Sequence, residues 1–282
     1  MQENSRIKVI VPFHNPGDHF DLCVNSVLTQ NFEGYDVLFI DDASTDGTYA
    51  KIPACTYRTD EKGEPMKDES GQLIIEEKHP LLEITKCDRV NAWKANTRIT
   101  ALGNIHNGII NFCQSPDDIV FILYGDDWLP GKTSLKRIWD EYQNHDCMMT
   151  YGSAKLSDGK RSYSAPYTEK EFANLRAVTP KFSWPLTFRK SLYDRLLETD
   201  PGFSNFTDPK GEWYTMCSNY ALAYPLMELA GHQKVRHISD TIYVYNVDNP
   251  LNSEKSNPDL YYRIQDEIQS KKPMKYETAD NK

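Results

Sequence analysis

Apolar residues recur along the first half of the chain in two alternating rhythms. Ile7 to Phe13 (IKVIVPF) is a β-branched run of the kind that forms a strand buried on both faces. Asn15-Pro16-Gly17-Asp18 breaks it, and Asp18 is a candidate N-cap for a helix carrying Phe20, Val24, Val27 and Leu28 on one face. Asp36 to Ile40 (DVLFI) predicts a second buried strand, which stops abruptly at Asp41-Asp42-Ala43-Ser44-Thr45-Asp46-Gly47. Leu102, Ile105, Ile109 and Phe112 then repeat at helical spacing. Ile119 to Leu123 (IVFIL) predicts a third strand, ending in Tyr124-Gly125-Asp126-Asp127, and Leu135, Ile138, Trp139 and Tyr142 a further helix. Strand and helix in alternation predict an α/β domain, with a mostly parallel central sheet flanked by helices.

One stretch interrupts the rhythm. Between about 54 and 79 the chain is rich in charge, Gly and Pro, with seven acids against four bases from Tyr57 to Lys78. It reads as an acidic surface insertion, a hairpin turning at Glu69-Ser70-Gly71. After Thr150 the alternation fades. A helix-like run from Tyr220 to Ala230 and a strand-like run from Thr241 to Tyr245 remain, before a polar, flexible tail over 270–282. The expected organisation is therefore one large domain, with halves at 1–150 and 151–269.

Composition narrows the function. The 282 residues are 39% hydrophobic and 26% charged, which argues for a folded chain. The net charge of −9 and the lack of a basic cluster argue against a nucleic-acid partner. The longest purely apolar run, Ile119 to Leu123, is far short of the roughly 20 residues that span a bilayer. A polar N-terminus meets a strand pattern at once, so no leader peptide is expected. Six scattered cysteines without a CxxC pair read as reduced thiols, and the expected location is cytoplasmic, soluble or peripheral. Asn205-Phe206-Thr207 is a sequon of the kind that arises by chance.

In an open parallel sheet, ligands bind at the carboxyl ends of the strands. All three strands end there in polar groups: Pro12-Phe13-His14-Asn15, Asp41-Asp42 and Gly125-Asp126-Asp127. Acids cannot hold a phosphate unaided, since like charges about 4 Å apart repel by about 4 kcal/mol at an effective dielectric near 20. A divalent cation reverses the sign, and hard oxygen ligands favour Mg²⁺ or Mn²⁺. A carboxylate at Asp41 or Asp42 can also accept hydrogen bonds from a base or a ribose hydroxyl. These groups describe a metal-assisted nucleotide-diphosphate site.

Val9-Ile10-Val11-Pro12-Phe13-His14-Asn15, Ile40 to Thr48 (IDDASTDGT) and Leu123 to Leu129 (LYGDDWL) resemble the family 2 glycosyltransferases of the GT-A (Rossmann-like) fold. Ala101-Leu102-Gly103-Asn104 is similar to the family's Ala-Arg-Asn stretch. Ala221 to Gly231 (ALAYPLMELAG) and Tyr243-Val244-Tyr245-Asn246 are similar to its acceptor-side half. The resemblance runs from about Ile7 to Asn252, with the insertion outside it. It implies a nucleotide-sugar-binding half at 1–150 and an acceptor-side half at 151–269. It further implies a metal-dependent inverting glycosyltransferase, hexosyltransferase-like, using a UDP-sugar donor and Mn²⁺ or Mg²⁺. The acceptor stays open among glycan, lipid-linked glycan and protein, and so does the oligomeric state.

The resemblance also assigns residues. Pro12, His14, Asn15, Asp41, Asp42, Asn104, Tyr124 and Gly125 would hold the donor. Asp126 would bind the metal, with Asp127 assisting; apart from the resemblance, His237 is a candidate third ligand, reached from the loop before Thr241. Two departures stand out. Tyr124 replaces the first acid of the DxD motif. Asn219 replaces the Asp that acts as general base just before the Ala-Leu-x-x-Pro run, and the loss of such a base costs about 10²–10⁴ in rate. Asp208, Glu212 or Glu228 would then supply the base, or the chain is a catalytically impaired module that binds nucleotide sugar or glycan. Trp184, Trp213 and Tyr214 are candidates to stack on acceptor sugars or to pack the core. Arg189 is a candidate counter-charge for phosphate. His106 and His145 are expected on helix surfaces. A phosphate loop at Gly125 to Thr133 is excluded, because five residues separate its glycines where four are needed.

Overall fold

The β-branched run at the start of the chain becomes the middle of a nine-stranded sheet. The computed structural model describes residues 5–52, 55–57, 66–71, 74–78 and 89–275. Its strands are β1 (Ile7–Phe13), β2 (Tyr35–Asp41), β3 (Cys55–Tyr57), β4 (Ile75–Lys78), β5 (Val90–Lys94), β6 (Ile119–Ile122), β7 (Met149–Leu156), β8 (Ser183–Arg189) and β9 (Val235–Tyr245). Its helices are α1 (Phe20–Leu28), α2 (Ala101–Phe112), α3 (Ser134–Asn144), α4 (Glu169–Phe172), α5 (Lys190–Thr199), α6 (Ser218–Ala230), α7 (Ser253–Ser256) and α8 (Pro258–Ser270). The strands lie in the order β4-β3-β5-β2-β1-β6-β8-β7-β9. Five of the eight pairings are parallel, so the sheet is mostly parallel, as the alternation predicts.

Register sets where the strands end. Ile7 pairs with Tyr35 and Phe13 with Asp41 on one side, while Ile7 pairs with Ile119 and Ile10 with Ile122 on the other. The ladder continues past β6 through Leu123 N–H to the Ile10 carbonyl and Gly125 N–H to the Pro12 carbonyl. All three chain segments therefore leave the sheet at one rim. Both faces of β1, β2 and β6 are covered, and Val9, Ile10, Val37, Leu38, Phe39, Phe121 and Ile122 are fully buried. Helix α2 packs closely because Gly108 lacks a side chain: a Cβ there would lie 3.0 Å from Ile10 Cγ2 and Ile40 Cδ1.

Several elements differ from the sequence reading. Asp18 does not cap α1; residues Gly17–His19 form a 3-10 turn that leads into the helix. The fading pattern after Thr150 conceals β7, β8 and the first part of β9, whose end is the predicted run Thr241 to Tyr245; all three extend the same sheet. Here β8 runs antiparallel between β6 and β7, so its neighbours impose no parallel-strand rhythm. Strands β3 and β4 pair antiparallel at the sheet edge, and a turn closes between the Asp68 carbonyl and Gly71 N–H. Residues 58–65 of the insertion, and 276–282 of the expected tail, lie outside the described residues. Lys271 to Met274 are tied down: Lys271 Nζ donates to the Ser204 and Thr207 carbonyls, and Met274 N–H donates to Glu228. The sequon asparagine, Asn205, is buried, accepting from Arg176 and donating to Asp200, which leaves its amide no room for a glycan.

Candidate active site

At the rim where β1, β2 and β6 end lies a cleft of about 520 Å³. Pro12, His14, Asp42 and Arg98 line one side of it, Tyr124, Asp126 and Asp127 another. Ser218, Asn219, Tyr220, Tyr245, Asn249 and Glu254 come from the second half of the chain. The carboxyl ends of the strands and the start of α6 thus meet across one opening.

The side near β2 is a network of short bonds. Asn15, at φ 46, donates its N–H to the Ser44 hydroxyl and accepts Thr45 N–H at Oδ1. His14 Nδ1 donates to the Asp42 carbonyl at 2.8 Å, which leaves Nε2 to accept from Asn15. Asp42 is nearly buried and accepts Ile99 N–H at 2.7 Å, Thr100 N–H at 3.2 Å and Arg98 Nε at 3.0 Å. Asp41 lies beneath, accepts Ser44 N–H and faces Lys94 at 3.7 Å; burial raises its pKa. Asp41 and Asn15 therefore brace the loops from behind, while His14 and Asp42 reach the cleft.

The corner at β6 depends on two unlike aspartates. Asp127 is buried and accepts the Tyr243 hydroxyl at 2.6 Å and Asn246 N–H at 2.8 Å. Burial first, and the neighbouring Asp126 second, push its carboxyl well above the usual range. Asp126 is half-buried and accepts the Asn249 amide at 2.7 Å, and burial raises its pKa too. Gly125 is required here, because a Cβ would run into Phe13 Cβ. Among the described residues no three His, Cys, Asp or Glu side chains form a ready-made metal cage.

Across the cleft, the Tyr124 hydroxyl bonds to the Ser218 hydroxyl, and burial raises its pKa. Its ring meets Trp184 edge-on at 5.1 Å. Asn219 stands beside Ser218 in the first turn of α6 and lines the cleft.

Other expected site residues lie elsewhere. Glu228 is buried against Arg176, with bonds of 2.6 and 2.9 Å, on the far side of α6. Asp208 accepts Lys210 and Glu212 N–H in a turn, and neither Asp208 nor Glu212 lines the cleft. His237 bonds to Ser164 at 2.9 Å and packs against Tyr151, away from the two aspartates. Asn104 is buried in α2 behind the cleft, and its amide has no hydrogen-bond partner among the described residues. Trp213 packs with His106, Phe203 and Phe206, while Tyr214 donates to Glu267. His106 is thus partly enclosed rather than on an open helix face, donating to or accepting from Tyr193 at 2.9 Å. Arg189 donates to the Cys147 carbonyl and lies over the Tyr142 ring.

Arg98, Asn249 and Glu254 were not legible as site residues. Arg98 precedes a helix by three residues with no strand rhythm to place it. Asn249 and Glu254 follow β9, in a polar stretch that offers only Asn and Pro as turn signals.

The mostly parallel sheet, with acids at the ends of neighbouring strands and the second half of the chain folded over them, is an architecture of the GT-A type. Residues 8–59 match the family described as Glycosyl transferase family 2. The glycosyltransferase GlyA of Streptococcus pneumoniae is 26% identical over 181 residues, covering 62% of this chain and 21% of GlyA. The uncharacterized glycosyltransferase YibD of Escherichia coli is 35% identical over 48 residues, covering 17% of this chain and 14% of YibD. In fold, the chain is similar to S. aureus TarS residues 1–349 in complex with UDP-GlcNAc, at a TM-score of 0.57 and 15% identity, over 93% of this chain and 65% of that one. A longer TarS structure is similar at a TM-score of 0.55, over 93% of this chain and 42% of that one. The family match is confined to residues 8–59, the fold is that of the GT-A neighbours, and the chain spans about a fifth or less of the curated relatives it matches.

Proposed function

We propose that the chain transfers a sugar from a UDP-sugar to an acceptor hydroxyl with inversion, aided by Mn²⁺ or Mg²⁺. The observation that carries this reading is the meeting of Asp42 and Asp126 in one cleft at the carboxyl ends of β2 and β6. His14 and Asp42 lie where a base and ribose are held, and Arg98 sits beside Asp42 with a guanidinium that suits a diphosphate oxygen. The fold is shared with TarS, a protein crystallised with UDP-GlcNAc.

A hard divalent cation fits Asp126, whose carboxylate faces the cleft. Mg²⁺ and Mn²⁺ are commonly held by one or two carboxylates together with substrate phosphates. When bound, the cation neutralises the charge that develops on the departing diphosphate. Asp127 assists from behind, since both its oxygens already hold Tyr243 and Asn246. Tyr124 offers a hydroxyl and a ring edge where the family's first acid stands, and the Trp184 ring beside it suits an apolar sugar face.

A binding module without efficient turnover is the second reading, and Asn219 favours it. One experiment separates the two. UDP, UDP-sugars, GDP and TDP are added with and without Mn²⁺, recording both the melting temperature and UDP release. A transferase is stabilised by UDP with Mn²⁺ and releases UDP from at least one UDP-sugar. A binding module is stabilised and releases none. Greater stabilisation by GDP or TDP overturns the donor assignment.

A further inference from the structure

We propose that Glu254 is the catalytic base for sugar transfer, taking the proton that an aspartate at position 219 would otherwise accept; this rests on the transferase reading above. The argument is one of access. Among the described residues, four carboxylates line the cleft: Asp42, Asp126, Asp127 and Glu254. Asp42 holds residues 98–100 through three bonds. Asp127 is committed to Tyr243 and Asn246, and Asp126 faces the diphosphate corner with Asn249. Glu254 is exposed to the opening on the wall that also carries Ser218, Asn219 and Tyr220.

The other proton acceptors on the lining do not compete. His14 lies on the donor side with both ring nitrogens engaged. Burial first and the Glu254 charge second push the Cys217 thiol up to about 12. Burial, then Cys217, then Glu254 push the Tyr220 phenol up to about 12. The Glu254 charge is therefore felt on both sides of Asn219.

Glu254 is also placed with respect to the donor. The segment after β9 donates Asn246 N–H to Asp127 and the Asn249 amide to Asp126. The Asn252 amide donates to the Tyr245 hydroxyl, and Asn252 Oδ1 accepts Glu254 N–H at 3.1 Å. One strap thus runs from the diphosphate corner to the carboxylate. Glu254 Oε1 accepts the Tyr262 hydroxyl at 2.6 Å, which leaves Oε2 for the acceptor. In the step, the acceptor O–H proton passes to Glu254 while its oxygen bonds to the anomeric carbon. The bond from that carbon to the diphosphate oxygen breaks, and the electron pair leaves on UDP.

The test uses the whole chain with Mn²⁺ and four UDP-sugars (glucose, galactose and their N-acetylamino forms), water serving as acceptor, alongside calorimetric binding of UDP. Glu254→Gln is expected to lower UDP release by about 10²–10⁴-fold with UDP affinity and melting temperature unchanged. Asn219→Asp added to Glu254→Gln is expected to restore turnover by about tenfold or more, because it returns a carboxylate to the same wall. Wild-type turnover in Glu254→Gln, or in Glu254→Ala should the first variant unfold, overturns the assignment. So does a wild-type chain that binds UDP and releases none from any donor. A wild-type chain that does not bind UDP overturns the transferase reading itself.

Discussion

At the scale of single residues, adjacent aspartates with the same chemistry have separate duties. Asp126 accepts the Asn249 amide and opens on the cleft, so Asp126→Asn should keep the fold and, on the proposed function, remove the cation's charged ligand. The expected result is an unchanged melting temperature without ligand and loss of the Mn²⁺-dependent part of UDP binding. Asp127 has both oxygens engaged by donors on β9 and the segment that follows it. An amide there turns one acceptor into a donor that faces another donor. Asp127→Asn should cost about 1–3 kcal/mol, read by urea denaturation, before any effect on ligand. Gly125→Ala should cost a similar amount, about 1–3 kcal/mol, because its Cβ has no space beside Phe13. Equal destabilisation by the two aspartate variants would contradict this division.

At the scale of elements, what was legible follows from local periodicity. β1, β2, β6, α2 and α3 are each covered on a face or faces by the core, so their apolar spacing records their neighbours, and the sequence reading meets them within a residue or two. β8 was not legible: Trp184, Pro185, Thr187 and Arg189 do not alternate, and its antiparallel place between β6 and β7 is set by residues far away in sequence. The donor-side acids were legible because they end strands, whereas Glu254 belongs to a strap whose position comes from tertiary bonds alone. Polar contacts of this kind also join α3 to β9. Glu141, nearly buried, receives Arg137 from its own helix and Arg236 from β9. Burial pushes its carboxyl up, but the hydrogen bonds from Arg236 and Arg137 outweigh that and hold it below the usual range. A depressed folded pKa means that the contribution is present above the unfolded pKa and is lost as acid protonates the folded carboxylate. Glu141→Gln should therefore destabilise the chain at neutral pH and flatten the loss of stability expected of the wild type below about pH 4.5, as read in denaturation series across pH.

At the scale of the whole molecule, residues from both halves of the chain meet around the cleft: Tyr124 with Ser218 and Trp184, Asp126 with Asn249, and Asp127 with Tyr243 and Asn246. On the proposed function, a ligand that spans base, ribose and diphosphate touches both halves, and its stabilisation of the folded chain grows with the logarithm of its concentration over Kd. At a hundredfold excess over Kd the gain is about 2.7 kcal/mol. For a chain of this size that is a rise of about 5–10 °C in melting temperature. The two parts of the ligand can be separated. If the proposed site is right, uridine reaches His14 and Asp42 but has no diphosphate, so its smaller shift should be the same in Mn²⁺ and in EDTA. UDP bridges to the Asp126 corner, so its larger shift should fall to the level of uridine when EDTA removes the cation. Arg98→Ala should lower the UDP shift without altering its dependence on Mn²⁺, since in the proposed function the guanidinium acts on the diphosphate while Asp126 would hold the cation. A UDP shift that is insensitive to EDTA would show that basic side chains alone hold the diphosphate, and the metal would then have no place at this rim.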